Sequence, residues 1–225
     1  MAGKTKSPRV PAGRRKDHPS ARRAHNARAM RGAARRDTIL AAALEEFSAR
    51  GFAATRLDDV ARKAGIAKGT IYLYFSDKEA LFQELVRSML IPVIGPIEAA
   101  FRSESATRVI AEQIIELFVR EIYETRRKDV IRLIISEGPR FPKLAEFYYR
   151  EVLAKILPAL RVLLRRAAER GELRNPAIAD FPQLLGAPGI IGIIWNGLFG
   201  RFEPLDVRAM MRLQFALLFK EEGAP

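Results

Sequence analysis

From Arg35 onward, apolar residues recur every three or four positions, and no run alternates apolar with polar in the manner of a half-buried strand. The pattern predicts an all-α chain. Ile39, Leu40, Ala43, Leu44 and Phe47 share one face of a first helix over Arg35–Arg50, ended by Gly51. Thr55-Arg56-Leu57-Asp58 has the form of a capping box, in which the hydroxyl accepts from an orphan N–H and the acid reaches back. It opens a second helix that runs to about Lys63. Ala64-Gly65-Ile66 predicts a tight turn into a third helix, Ala67–Tyr74. A second box, Ser76-Asp77-Lys78-Glu79, opens a fourth, which carries Leu81, Leu85 and Met89 inward until Pro92, Gly95 and Pro96 kink or break it. Beyond residue 100 the apolar faces widen, and helices fall at about 105–126, 128–138, 142–171, 179–200 and 205–221, with kinks expected at Pro158 and Pro188.

The segment from Leu184 to Phe199 is apolar on all sides, but its sixteen or so residues fall short of the roughly twenty that cross a bilayer, and Pro188 and Asn196 interrupt it. A helix buried on two sides is the simpler reading, with Gly186, Gly189, Gly192 and Gly197 allowing a second subunit to approach closely.

Charge adds a boundary that hydropathy does not show. Of a net charge of +13, residues 1–34 supply about +9, from ten bases against the single acid Asp17. The other 191 residues are nearly balanced. The first 34 residues thus read as a basic, disordered tail, either an arm drawn to a polyanion such as the phosphates of DNA or an extension with no specific role. They contain no apolar run of a secretory leader, so a cytoplasmic protein is expected. Cysteine is absent, and both histidines, His18 and His25, lie in the tail. The body therefore offers no thiol nucleophile, no imidazole for acid–base work and no soft transition-metal ligand. It also lacks a phosphate-binding glycine loop and a dinucleotide fingerprint. Neither catalysis nor a cofactor is expected.

Two short helices joined by a glycine-containing turn form the helix-turn-helix pattern, whose second helix lies in the major groove of DNA. Gly65 suits the turn because it tolerates a positive φ. The 46 residues from Arg36 to Leu81, RDTILAAALEEFSARGFAATRLDDVARKAGIAKGTIYLYFSDKEAL, carry Phe47, Gly51, Phe52, Thr55, Val60, Ala61, Gly65, Lys68, Gly69, Thr70, Ile71, Tyr72, Tyr74, Phe75 and Lys78 at fixed spacing. This stretch, a fifth of the chain, resembles the DNA-binding domain of the TetR/AcrR family of transcriptional regulators. Leu57 departs from it, sitting where many members carry a smaller or polar residue.

The resemblance implies a helix-turn-helix domain over residues 35–81 and a ligand-binding and dimerisation domain over 82–225. It also implies a repressor that a small organic effector releases from a palindromic double-stranded DNA operator. With Ile66, Ile71 and Phe75 of the third helix facing a small core, Lys68, Gly69, Thr70, Tyr72 and Tyr74 remain for DNA. Lys68 can donate to guanine, Thr70 can touch a thymine methyl, and Gly69 lets the backbones approach. Thr55 and Lys78, at the starts of helices, together with Arg56, are expected at phosphates. In the C-terminal region the resemblance implies a ligand pocket and a homodimer formed by the last two helices. Polar or aromatic residues on apolar helices are the candidates for its lining: Gln113, Phe118, Arg132, Tyr148, Tyr149, Trp195 and Asn196. Each has packing or a satisfied buried hydrogen bond as its alternative, and Arg132 has Glu137 or Glu116 as possible ion-pair partners. The competing function classes are a structural DNA-binding protein that uses its tail without sequence preference, and an enzyme on a helical bundle.

Overall fold

The computed structural model describes residues 19–220, with side chains from residue 30 onward. The chain divides into two compact units, residues 1–38 and 39–225. The first helix, α1, is Pro19–Ala54 and contributes to both. It begins sixteen residues before the expected Arg35, so the tail is helical from Pro19. The reason is compositional: after Pro19, which suits a first helical position, the stretch is rich in Ala and Arg, two of the strongest helix formers. The rest of the predicted tail, residues 1–18, lies outside the described residues. Gly51 breaks the helical path at φ 75°, as its place after the apolar face predicts. A Cβ there would be strained by that φ and would also meet Glu137 Oε1 at 2.7 Å, the movable end of a flexible side chain.

In the second unit, α2 is Leu57–Lys63, α3 Lys68–Ile71, α4 Lys78–Met89 and α5 Ile91–Arg102. Leu57, Val60, Ile71, Phe75 and Leu81 are buried with α1 residues Ile39, Leu44 and Phe47. Ile66 packs on them half-buried. Phe52 ties this small core to its surroundings, its ring 5.4 Å from Phe47, 5.8 Å from Phe82 and 4.9 Å from Phe141. The expected break of the fourth helix falls at Leu90, and Pro92 opens α5 rather than ending structure. Pro96 stays inside α5.

The remaining elements are α6, Thr107–Phe118; α7, Arg127–Glu137; α8, Pro142–Tyr148; α9, Ala154–Glu169; α10, Gln183–Leu198; and α11, Val207–Leu218. π-helical turns follow α6 (Val119–Tyr123) and α8 (Tyr149–Leu153). The second lies just ahead of Pro158 in α9, whose missing N–H removes the bond to residue 154. α9 packs along α5, where an Arg166 amino group donates to Phe101 O (2.8 Å) and Ser103 O (3.1 Å), closing the end of α5. An isolated bridge, Leu173 to Phe219, is the nearest approach to a strand among the described residues. No single helix among them is long and apolar enough to cross a membrane.

Candidate nucleic-acid interface and ligand cavity

The turn between α2 and α3 is built as the sequence predicts. Gly65 adopts φ 65°, and Ile66 N donates to Ala61 O at 3.0 Å, so the chain reverses within three residues. α3 itself is one turn, shorter than the predicted Ala67–Tyr74. Its path continues as a coil of bonds, Leu73 N to Thr70 O (3.2 Å) and Phe75 N to Ile71 O (2.9 Å), because buried Ile71 and Phe75 anchor that face. The opposite face is open: Lys68, Gly69 and Tyr72 are exposed, Thr70 is half-buried, and a Cβ on Gly69 would meet nothing. Leu73, absent from the residues expected at DNA, is 83% exposed on the same side. The signal for it is in the sequence, since two residues from either Ile71 or Phe75 is about 200° around a helix.

A second residue outside the expected set organises this surface. Asp58, in the first turn of α2, holds Lys68 Nζ at 2.7 Å and accepts from the Tyr72 hydroxyl at 3.4 Å. Asp58 raises the pKa of Lys68, through its hydrogen bond first and then its charge. Arg56, the N-cap of α2, is exposed and extended.

Three residues expected at DNA are held by other parts of the chain in this structure. Thr55 does not cap α2: it is 1% exposed, and its hydroxyl donates backward to Gly51 O (2.8 Å) and Glu46 O (3.2 Å). The hydroxyl thereby ties the start of α2 to the kink at Gly51. Lys78 turns the same way, Nζ donating to Phe52 O and Ala53 O at 2.9 Å each while lying 4.7 Å from the Phe52 ring centre. Two of its three N–H donors close the end of α1. Tyr74 is half-buried against the core, its ring 6.5 Å from that of Phe75. In the second predicted box, Asp77 rather than Ser76 is the cap, accepting from Ala80 N at 2.7 Å.

Behind the bend of about 40° between α4 and α5 lies a cavity of about 620 Å³. Leu90, Val93, Ile94 and Ile97 line it from the bend, and α6, α9, α10 and α11 complete the wall. Phe118, Tyr148 and Tyr149 are among the residues that line it. Burial pushes the Tyr148 phenol up to about 12. The other candidates are used elsewhere. Gln113 is exposed. Arg132 pairs with Asp129 at 3.3 Å, not with Glu137 or Glu116, and lies against Gly197. Trp195 Nε1 donates to Glu203 O at 2.8 Å. Asn196 donates to Leu205 O (2.8 Å) and the Tyr123 hydroxyl (2.5 Å) and accepts from Leu205 N (2.8 Å), stapling the α10–α11 loop. Polar groups on these helices fasten loops, while the cavity wall is made of what looks like ordinary core.

The α10 glycines also differ from expectation. A Cβ on Gly189 would meet the Phe118 ring at 2.5 Å, one on Gly192 would overlap Val207, and one on Gly197 would meet Arg132 Nε at 2.6 Å. They admit neighbours from the same chain. The outward face of α10 instead carries Leu184, Ile191 and Leu198 at seven-residue intervals, all exposed. Leu213 and Leu217 of α11 are 61% exposed each.

A helix-turn-helix with an open second helix, backed by a helical bundle around an apolar chamber, defines a DNA-binding transcriptional regulator of the ligand-responsive class. The sequence pattern of the bacterial regulatory proteins of the tetR family matches residues 39–85, and that of the tetracyclin repressor-like C-terminal domain matches residues 111–214. The chain is 31% identical over 190 residues to the HTH-type transcriptional regulator AcrR of Shigella flexneri, covering 82% of this chain and 87% of that one. It is 26% identical over 188 residues to the HTH-type transcriptional regulator SrpR of Pseudomonas putida, covering 83% and 85%. Among solved structures, the SmeT–triclosan complex shares the fold with a TM-score of 0.69 and 21% identity, over 84% of this chain and 93% of that one. The chain belongs to the tetR family.

Proposed function

We propose that the protein is a cytoplasmic, homodimeric repressor that binds a palindromic DNA operator and releases it when a small organic effector fills the cavity. The observation that carries this reading is the cavity's position at the α4–α5 bend: α4 leads from there to Lys78, which is bonded to the carbonyls ending α1. A ligand that moves Leu90 and Val93 works on a lever whose other end holds the helix-turn-helix domain. Lys68, Gly69, Thr70, Tyr72 and exposed Leu73 are the base-reading surface, and Arg56 holds a phosphate. The basic residues of 1–34 add a sequence-independent attraction. The exposed stripe of α10 and α11 supports a second copy of this chain as its occupant, which gives the two-fold symmetry that a palindrome requires. The relatives' activity, transcriptional regulation, supports a role without catalysis or cofactor.

The test is a gel-shift titration with DNA flanking the gene. Lys68→Ala and Tyr72→Ala are expected to weaken operator binding by about 1–3 kcal/mol per base contact with unchanged circular dichroism. Unchanged affinity in both variants refutes the assignment. Loss of preference over random competitor DNA at physiological salt would instead favour a structural DNA-binding protein.

A further inference from the structure

In a chain of which 29% is charged, no Asp, Glu, Lys, Arg or His is among the described residues that line the cavity. Its polar groups are Thr107, Tyr148, Tyr149, Gln183 and Gln214. They are not equivalent. The Thr107 hydroxyl is taken by Glu172, and Tyr149 and Gln183 are exposed at the rim. Gln214 and Tyr148 are half-buried in the wall, and of the two tyrosines Tyr148 is the less exposed. Its raised pKa has desolvation as the cause, with no neighbouring charge contributing, and the ring packs against the main core. A charged ligand placed here finds no counter-ion and no cluster of dipoles, so the solvation it loses is not replaced. A neutral ligand loses little, and a single oxygen facing Tyr148 can accept from its hydroxyl.

We infer that the effector is an uncharged, lipophilic molecule of drug-like size with one hydrogen-bonding oxygen held by Tyr148 Oη, and that anions and cations of the same skeleton are rejected. This rests on the cavity being the effector site. It separates the protein from receptors for fatty-acid anions or quaternary amines, which need an ion's partner in the wall.

The experiment uses the full chain at pH 7.5 with the neutral fluorophore N-phenyl-1-naphthylamine in the cavity. 1-Decanol, decanoate and decyltrimethylammonium, which share one chain length, are titrated against it. Decanol is expected to displace the probe at least about a hundredfold more effectively than either ion. The Tyr148→Phe variant should bind decanol about three- to tenfold more weakly while naphthalene displaces the probe as before, which also shows that the variant is folded. Either ion competing within threefold of decanol overturns the inference and leaves the effector site standing, as does a Tyr148→Phe variant with unchanged decanol affinity. If neither the probe nor naphthalene binds, the cavity is not an effector site, and both readings fall.

Discussion

Replacing Lys78 by methionine separates two roles for one residue. The substitution keeps an unbranched stem on the Phe52 ring and deletes the ammonium. Two hydrogen bonds from a charged donor disappear, one to the part-buried Phe52 O and one to the exposed Ala53 O. A charged hydrogen bond contributes about 1.5–3 kcal/mol when its acceptor cannot be rewetted, and much less when it can. The cation–π contact at 4.7 Å adds about 0.5–1 kcal/mol. Counting the first bond fully and the second as replaced by water, and allowing for the retained stem, the expected loss is about 2 kcal/mol. Urea unfolding followed by circular dichroism measures it. Operator titrations at several salt concentrations supply the second half of the test. If the lysine sat on a phosphate, removing its charge would flatten the slope of log K against log salt by about 0.9, whereas a lysine closing α1 leaves the slope unchanged. Unchanged stability with a flattened slope would refute the structural assignment and restore the phosphate contact that the sequence suggests.

Tyr148 makes stability depend on alkaline pH. Its folded pKa of about 12 exceeds the ordinary 10, so the folded state favours the neutral phenol, and the associated stability is complete below pH 10 and lost as pH rises toward 12. The shift corresponds to about 3 kcal/mol, and urea midpoints from pH 9 to 12 should fall less steeply for Tyr148→Phe; equal slopes count against it. At the outer face, Leu213→Arg with Leu217→Arg should yield a folded monomer near 25.3 kDa by light scattering, while Ile193→Arg, at a position 0% exposed, should unfold the protein. A double variant that remains dimeric at micromolar concentration removes α11 from the interface. Gly189→Ala drives a methyl into the Phe118 ring and is expected to cost about 1–3 kcal/mol in denaturant unfolding. No measurable loss would mean that the ring moves freely.

What the sequence made legible follows from how local each cause is. Gly65 and Gly51 announce themselves because a positive φ is a property of one residue. The inward positions of α1 to α4 follow from periodicity alone. Thr55 and Lys78 make bonds that the sequence does not announce, because these depend on where α1 frays, 4 residues back for one and 25 or 26 for the other. Asp58 is hidden for a similar reason: its partners Lys68 and Tyr72 come into reach only once the turn has folded. The chamber is hidden most completely. Its wall of Leu, Ile, Val and Phe has the same periodicity as a filled core, and a gap between helices is a matter of distance, which side-chain chemistry along the chain does not encode. Polarity on an apolar helix therefore points to Asn196 and Trp195, which fasten a loop.

The uncharged wall also bears on how such a protein changes over generations. Exchanging one aliphatic residue for another around the chamber strands no polar group, so each step costs of the order of 1 kcal/mol and reshapes the space by a methylene or two. At the helix-turn-helix the same exchanges are confined, because Phe47, Phe52 and Phe82 touch one another and Gly51 holds a φ that strains any side chain. Mutation can thus retune what the protein senses through many small, tolerated moves while the frame that carries the reading surface stays nearly fixed. A lineage carrying this architecture can acquire a new inducer without having to acquire a new operator.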